Sequence, residues 1–128
     1  MPVCEDFILD AGYSEAEIRA DIDAYLDGSP QMPTAFFAET DFLACHAMLR
    51  FQEHGIRFPE DLSMVGFDDR QICQMVQPKL TTVNVPKDIY GPSAVDLLIS
   101  KLESGRKQSL KLEIGTNLIL RDSVNKIG

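Results

Sequence analysis

The chain has 128 residues, and its 20 acidic and 12 basic side chains leave a net charge of −8. That length sets a prior of about one domain, and 45% hydrophobic with 25% charged residues is an ordinary soluble globular composition. With no basic cluster this stretch lacks the footprint of a nucleic-acid grip, and no apolar run approaches the roughly 20 residues that cross a bilayer.

The first six residues, Met1 to Asp6, have neither a basic start nor a long apolar core, so no secretory signal is expected. Cys4, Cys45 and Cys73 are few and far apart. That pattern favours free thiols in a reducing cytoplasm over a disulfide framework or a zinc site.

In chain order, residues 7–9 form a short apolar run that leads into Asp10, Ala11, Gly12 and Tyr13, a strand and its exit. Ser14 and Glu17 have the spacing of a capping box, in which each side chain satisfies a free amide at a helix start. Ile18, Ile22, Tyr25 and Leu26 follow at helical spacing, and Gly28 supplies the stop. A loop with two prolines leads to a strand at residues 35–38. Thr40 can cap the next helix, whose apolar face is Leu43, Ala44, Ala47, Met48 and Phe51, and Gly55 ends it. Residues 62–67 are a second buried strand ending in Asp68 and Asp69. Residues 72–76 form a short irregular or helical piece, and residues 80–85 a crossover strand. Ile89, Val95, Leu98 and Leu102 mark an amphipathic helix over residues 88–102, closed by Gly105. Residues 110–114 and 118–120 complete the series as late strands. The order predicts an α/β fold in three layers, a mainly parallel Rossmann-like sheet with helices on both faces. In such sheets ligands bind outside the carboxyl ends of the strands, where Glu39, Thr40, Asp41, Asp68 and Asp69 fall.

No hydrolase elbow, phosphate loop or metal signature is present. His46 and His54 are explained by exposed helix positions, and Ser93 and Ser100 have no histidine in a motif relation to them. The chain is therefore expected to be no enzyme, with no cofactor and no metal.

Five blocks in register carry a resemblance. They are Pro33-Thr34-Ala35 with Thr40-Asp41, Ala44 and Ala47; Gly55 to Ser63 (GIRFPEDLS); Val65 to Asp69 (VGFDD); Leu80 to Val83 (LTTV); and Leu118 to Val124 (LILRDSV). In order and approximate spacing they resemble the lactose/galactose-repressor family of bacterial transcription regulators, from Tyr13 to Val124. The resemblance implies a periplasmic-binding-protein-like type I fold, present here as a partial domain. Residues 1–85 would be the C-terminal lobe of the effector-binding domain, 86–117 a helix and strand of the N-terminal lobe, and 118–128 the terminal strand and tail. The DNA-binding head is absent from this chain.

The implied function is effector sensing and dimerisation in a cytoplasmic homodimer that reaches operator DNA through the missing head, with no membrane partner. The implied effector is a sugar ahead of a purine. Asp68 matches an acidic ligand contact, suited to two hydroxyls because a carboxylate is acceptor-only; a turn-capping aspartate is the bland alternative. Tyr13 matches an aromatic that stacks on the ligand ring, or packs as a rim aromatic. Thr40 stands where many members have asparagine, and helix cap and ligand contact are both open to it. Asp41 is assigned to the helix start by its dipole, and Asp69 to tying down the loop from Arg70. The implied dimer contacts are Cys45, Leu49, Ile72 and Val76, apolar positions that the core face does not need. A periplasmic sugar-binding protein of the same fold is the alternative, and a standalone interaction module a third.

Overall fold

The computed structural model describes residues 7–126. The elements follow in the order α1 (Glu15–Asp27), β1 (Ala35–Phe37), α2 (Asp41–Glu53), β2 (Ser63–Asp68), a 3-10 turn (Gln71–Gln74), β3 (Thr81–Asn84), α3 (Lys87–Ser104) and β4 (Asn117–Ile119). The strands form one sheet in the order β1-β2-β3-β4. β1, β2 and β3 are parallel, with Ala35 opposite Ser63 and Val65 opposite Thr81, while β4 joins antiparallel with Leu118 opposite Val83. The sheet is thus mainly parallel with an antiparallel edge.

The capping box forms as the sequence requires: the Ser14 side chain accepts from the Glu17 amide, and the Glu17 carboxylate accepts the Ser14 amide at 3.0 Å. Thr40 caps α2 by accepting from the Leu43 amide at 3.2 Å. Gly28 closes α1 but stays right-handed at φ −67°, and Ser29 takes the left-handed turn at φ 50°. Gly55 does turn left-handed, at φ 84°, as a helix-ending glycine should.

The core lies between α1, α2 and the sheet. Ile18 and Ile22 of α1 meet Ala44, Ala47, Met48 and Phe51 of α2 over Met64 of β2. Phe51 stacks on Phe36 with ring centres 6.0 Å apart, and Phe58 tilts against it at 6.4 Å. Buried aromatics of this size dominate such a core.

Two expected strands do not form. Residues 7–9 carry no ladder. The Gly12 amide donates to the Asp21 carboxylate at 2.9 Å and draws the segment toward α1. Phe7 and Leu9 instead help line an apolar cavity of about 250 Å³ with Ile22, Phe36, Phe51 and Met64. Residues 110–114 are also irregular, with Leu110 and Leu112 exposed. Alternating apolar residues make a strand only where a neighbour pairs with their backbone groups, and no described segment does so here. α3 forms over its predicted range yet has no buried residue.

Gly66 sits where β2 is crossed most closely: a Cβ built there would lie 2.4 Å from Asp41 Oδ1 and 2.8 Å from Leu80 Cδ2. Gly66→Ala should therefore lower the free energy of unfolding by about 1–3 kcal/mol through overpacking, read by urea denaturation. An unchanged midpoint would mean that the backbone yields there freely.

Candidate functional site

Parallel β–α–β order fixes which end of the sheet carries the site. α2 leaves the carboxyl end of β1 and returns to start β2, so its N-terminus with Thr40 lies at the carboxyl edge. Cross-helix pairs then orient α1. His46 lies 4.0 Å from Glu15, Arg19 reaches Glu53 at 2.7 Å, and Asp23 holds Arg50 at 2.6 Å and His54 at 2.8 Å. From Glu15–His46 to Asp23–His54 both partners advance by eight residues, so α1 and α2 run parallel and Tyr13 begins at the same edge as Thr40. Asp68 ends β2, opposite Asn84 at the end of β3. The three ligand candidates therefore share one end of the molecule.

Their side chains are not equivalent. Tyr13 is 84% exposed, a free ring rather than a packed one. The Thr40 oxygen accepts from the Leu43 amide, which leaves its O–H free to donate, so capping and ligand contact are compatible. Asp68 is a non-glycine residue at φ 113°, followed by Asp69 at φ 51°. Consecutive left-handed residues of this kind carry strain that surrounding contacts must hold. The Asp68 side chain is 30% exposed, and its Oδ1 pairs with Lys87 at 2.7 Å.

The other acidic residues face inward. Asp41 is fully buried; its Oδ2 accepts from the Arg70 amide at 2.6 Å and its Oδ1 from the Thr82 hydroxyl at 2.5 Å. It is more than a helix-start charge: it bridges α2, the turn after β2, and β3. Asp69 binds Arg121 at 2.6 Å and Asn84 at 3.1 Å, and the Arg121 guanidinium holds its carboxyl below the usual carboxylate range. Its partners are therefore on β3 and the terminal segment rather than in the loop that follows it.

Two implied dimer contacts require correction. Cys45 is fully buried and Val76 nearly so, both within the core cluster. α2 is covered on two sides, by α1 and by the sheet with the 3-10 turn, so its buried stripe is wider than one helix face. Burial pushes the free thiols of Cys45 and Cys73 up to about 12. Cys4 lies outside the described residues. Ile72 is partly buried against the core, and Leu49 is 43% exposed. His54 is not merely exposed but paired with Asp23, and His46 packs on the Phe42 ring with centres 4.3 Å apart.

Sequence reasoning gave no role to Lys87, Arg121 or Ser123. Arg121 also donates to the Leu80 carbonyl at 2.8 Å, and buried Ser123 donates to the Met64 carbonyl and accepts from the Thr81 amide. The one signal of Arg121 and Ser123 is polarity inside the otherwise apolar run at residues 118–124. Among the described residues no His, Cys, Asp or Glu cluster could hold a metal ion, and no helix is long and apolar enough to cross a membrane.

With this geometry in place, comparison with known proteins is direct. Residues 4–124 match the periplasmic binding protein-like domain family, and the chain belongs to it. Its relatives bear out the resemblance to lactose/galactose-type repressors. An HTH-type transcriptional repressor PurR from Vibrio parahaemolyticus is 28% identical over 127 residues, 99% of this chain and 38% of that protein. An HTH-type transcriptional regulator GalR from Streptococcus thermophilus is 33% identical over 118 residues, 92% of this chain and 34% of that protein. Among solved structures, a transcriptional regulator CelR–cellobiose complex superposes with a TM-score of 0.83 at 27% identity, over 96% of this chain and 37% of that one. The chain thus spans under two fifths of these relatives, which are regulators rather than transport proteins.

The cross-helix pairs give a pH dependence. Asp23 and Glu53 are held at about 2, by Arg50 and Arg19 first, against ordinary values of 3.8 and 4.5. Lowered carboxyl values mean stability that is complete above the ordinary values and lost as pH falls through them toward 2. The melting temperature should fall as pH drops from about 4.5 to about 2, and Arg50→Met should flatten that fall. An equal slope in the variant would remove these pairs from the account.

Proposed function

We propose that this chain is the C-terminal lobe, with a crossing segment of a second lobe, of the effector-binding domain of a cytoplasmic transcription repressor. The observation that carries the reading is the carboxyl edge, where Asp68 stands in strained backbone with its carboxylate accessible while Asp41 and Asp69 are consumed internally. A small molecule binds there, with Asp68 accepting its hydroxyls, Tyr13 stacking on its ring and Thr40 donating to it. Binding favours one arrangement of two lobes over another, and so biases DNA heads carried elsewhere in the polypeptide. No catalytic step is involved. The CelR structure with cellobiose and the GalR relative support a sugar effector; the PurR relatives support a purine as the second candidate.

The lobe boundary has structural support. The chain leaves the sheet at Asn84 and rejoins it at Asn117, and these two residues are register partners at one edge. Everything between them is an excursion from that edge. Ile89, Val95, Leu98 and Leu102 of α3 are exposed together on it. Such an apolar face needs cover, and a first lobe supplied by the rest of the polypeptide would provide it.

Calorimetric titration of the intact polypeptide with sugars and purines tests the site. Asp68→Ala should abolish saturable binding of whichever compound the wild type takes up, and full binding by a folded variant would remove Asp68 from the site.

A homodimer through Leu49 on α2 and Ile72 of the 3-10 turn completes the proposal, because paired heads fit a two-fold operator. Leu49→Glu should give a monomer in light scattering with effector binding retained. A persistent dimer would place the interface elsewhere.

A further inference from the structure

Lys87 opens α3, and its ammonium makes two contacts with a single residue. Nζ lies 2.7 Å from Asp68 Oδ1 and donates to the Asp68 carbonyl at 2.6 Å. Among the ion pairs of the described residues, this is the one that joins α3 to the sheet. The lysine side chain is 58% exposed against 30% for Asp68, so the pair sits at the surface of the carboxyl edge. Two capacities remain unused: the third ammonium hydrogen, and Asp68 Oδ2, which has no hydrogen-bond partner among the described residues.

We infer that Lys87 is a specificity-determining residue, which with Asp68 forms an ion-paired donor–acceptor couple selecting neutral ligands with two adjacent hydroxyls. This deepens the effector reading and rests on it. One hydroxyl donates to Asp68 Oδ2, and its neighbour accepts the remaining ammonium hydrogen. Hydrogen bonds to ionised partners are the strong ones, so both hydroxyls are held by charge while the ligand stays neutral. A lone carboxylate would equally favour a cationic or N–H-donating base. Here the ammonium already neutralises it and repels a positive ligand. Planar purine bases lack a vicinal diol and use only half of the couple. The bound class is therefore a sugar or related polyol.

Calorimetric titration of the intact polypeptide distinguishes the possibilities. The panel is D-ribose, D-glucose, D-galactose, cellobiose and the 2-deoxy form of each monosaccharide, with adenine and guanine beside them. Wild type, Lys87→Met, Lys87→Arg and Asp68→Ala are compared, and circular dichroism establishes that each is folded. The expected result is a sugar that binds wild type, loses about tenfold or more in Lys87→Met, and is largely restored in Lys87→Arg. Removing the hydroxyl that accepts from Lys87 should weaken wild type by a similar factor and Lys87→Met hardly at all, whereas removing its neighbour should weaken both. Sugar binding that depends on Asp68 but is unchanged in Lys87→Met overturns the role of Lys87 and leaves the site standing. Binding of adenine or guanine with no sugar bound overturns the diol class. A sugar or purine bound equally by Asp68→Ala overturns the site itself, and no binding by wild type across the panel overturns both.

Discussion

The buried carboxylate of Asp41 is the interaction on which the ligand edge depends. Among the described residues no ion pair reaches it; it lies against the Cys73 thiol and accepts hydrogen bonds from the Thr82 hydroxyl and the Arg70 amide. Each ties a different piece of backbone to the first turn of α2, one on β3 and one just past β2. A buried polar group that loses a donor is left with its desolvation cost, so these bonds are more expensive to break than surface ones. Gly66 is what permits the approach, since any side chain there would occupy the space of Asp41 Oδ1. The strained pair Asp68–Asp69 is thereby pinned on its far side by Asp41 through Arg70. Asp69 pins it again through Arg121 and Asn84.

This arrangement gives the paired aspartates of the VGFDD block opposite jobs. Asp69 points into a half-buried ion pair with Arg121, where it locks the terminal segment onto the sheet. Asp68 is left outside with one oxygen committed to Lys87. A residue of the same type, one position away, becomes structural or available according to which side of the left-handed turn it leaves. Spacing alone could separate neither role.

What the sequence made legible was local or periodic. The Ser14–Glu17 box, the Thr40 cap, the Gly55 stop and the apolar stripes of α1 and α2 depend on neighbours within a turn or two, and each forms. The ligand candidates Tyr13, Thr40 and Asp68 could be gathered at one edge because β–α–β order dictates where loops emerge. Cys45 was illegible because a helix covered on two sides buries more than one stripe, and only the packing of α1 with the 3-10 turn reveals the second cover. Residues 7–9 and 110–114 failed for a common reason. Their patterns are strand-like, but a strand is a relation between two segments, and no described segment pairs with either of them. Lys87 and Arg121 were missed because their partners stand 19 and 52 residues away, beyond any periodic signal.

The ion pairs between α1 and α2 have a consequence for the same edge. By fixing the helices parallel they aim both N-termini, with their partial positive charge, toward the end of the sheet where Asp68 stands. Ser14 and Thr40 each satisfy an amide of those termini, which reduces the donors left for an anion. Asp68 is matched by Lys87, and Asp69 by Arg121. The paired aspartates are therefore each matched by a cation despite the net −8 of the chain, while the edge remains rich in directed donors and acceptors. A strongly charged ligand would meet an already satisfied partner on either side. A neutral, many-hydroxyl molecule would meet groups that retain one hydrogen bond each, and that favours recognition by hydroxyl geometry over recognition by charge.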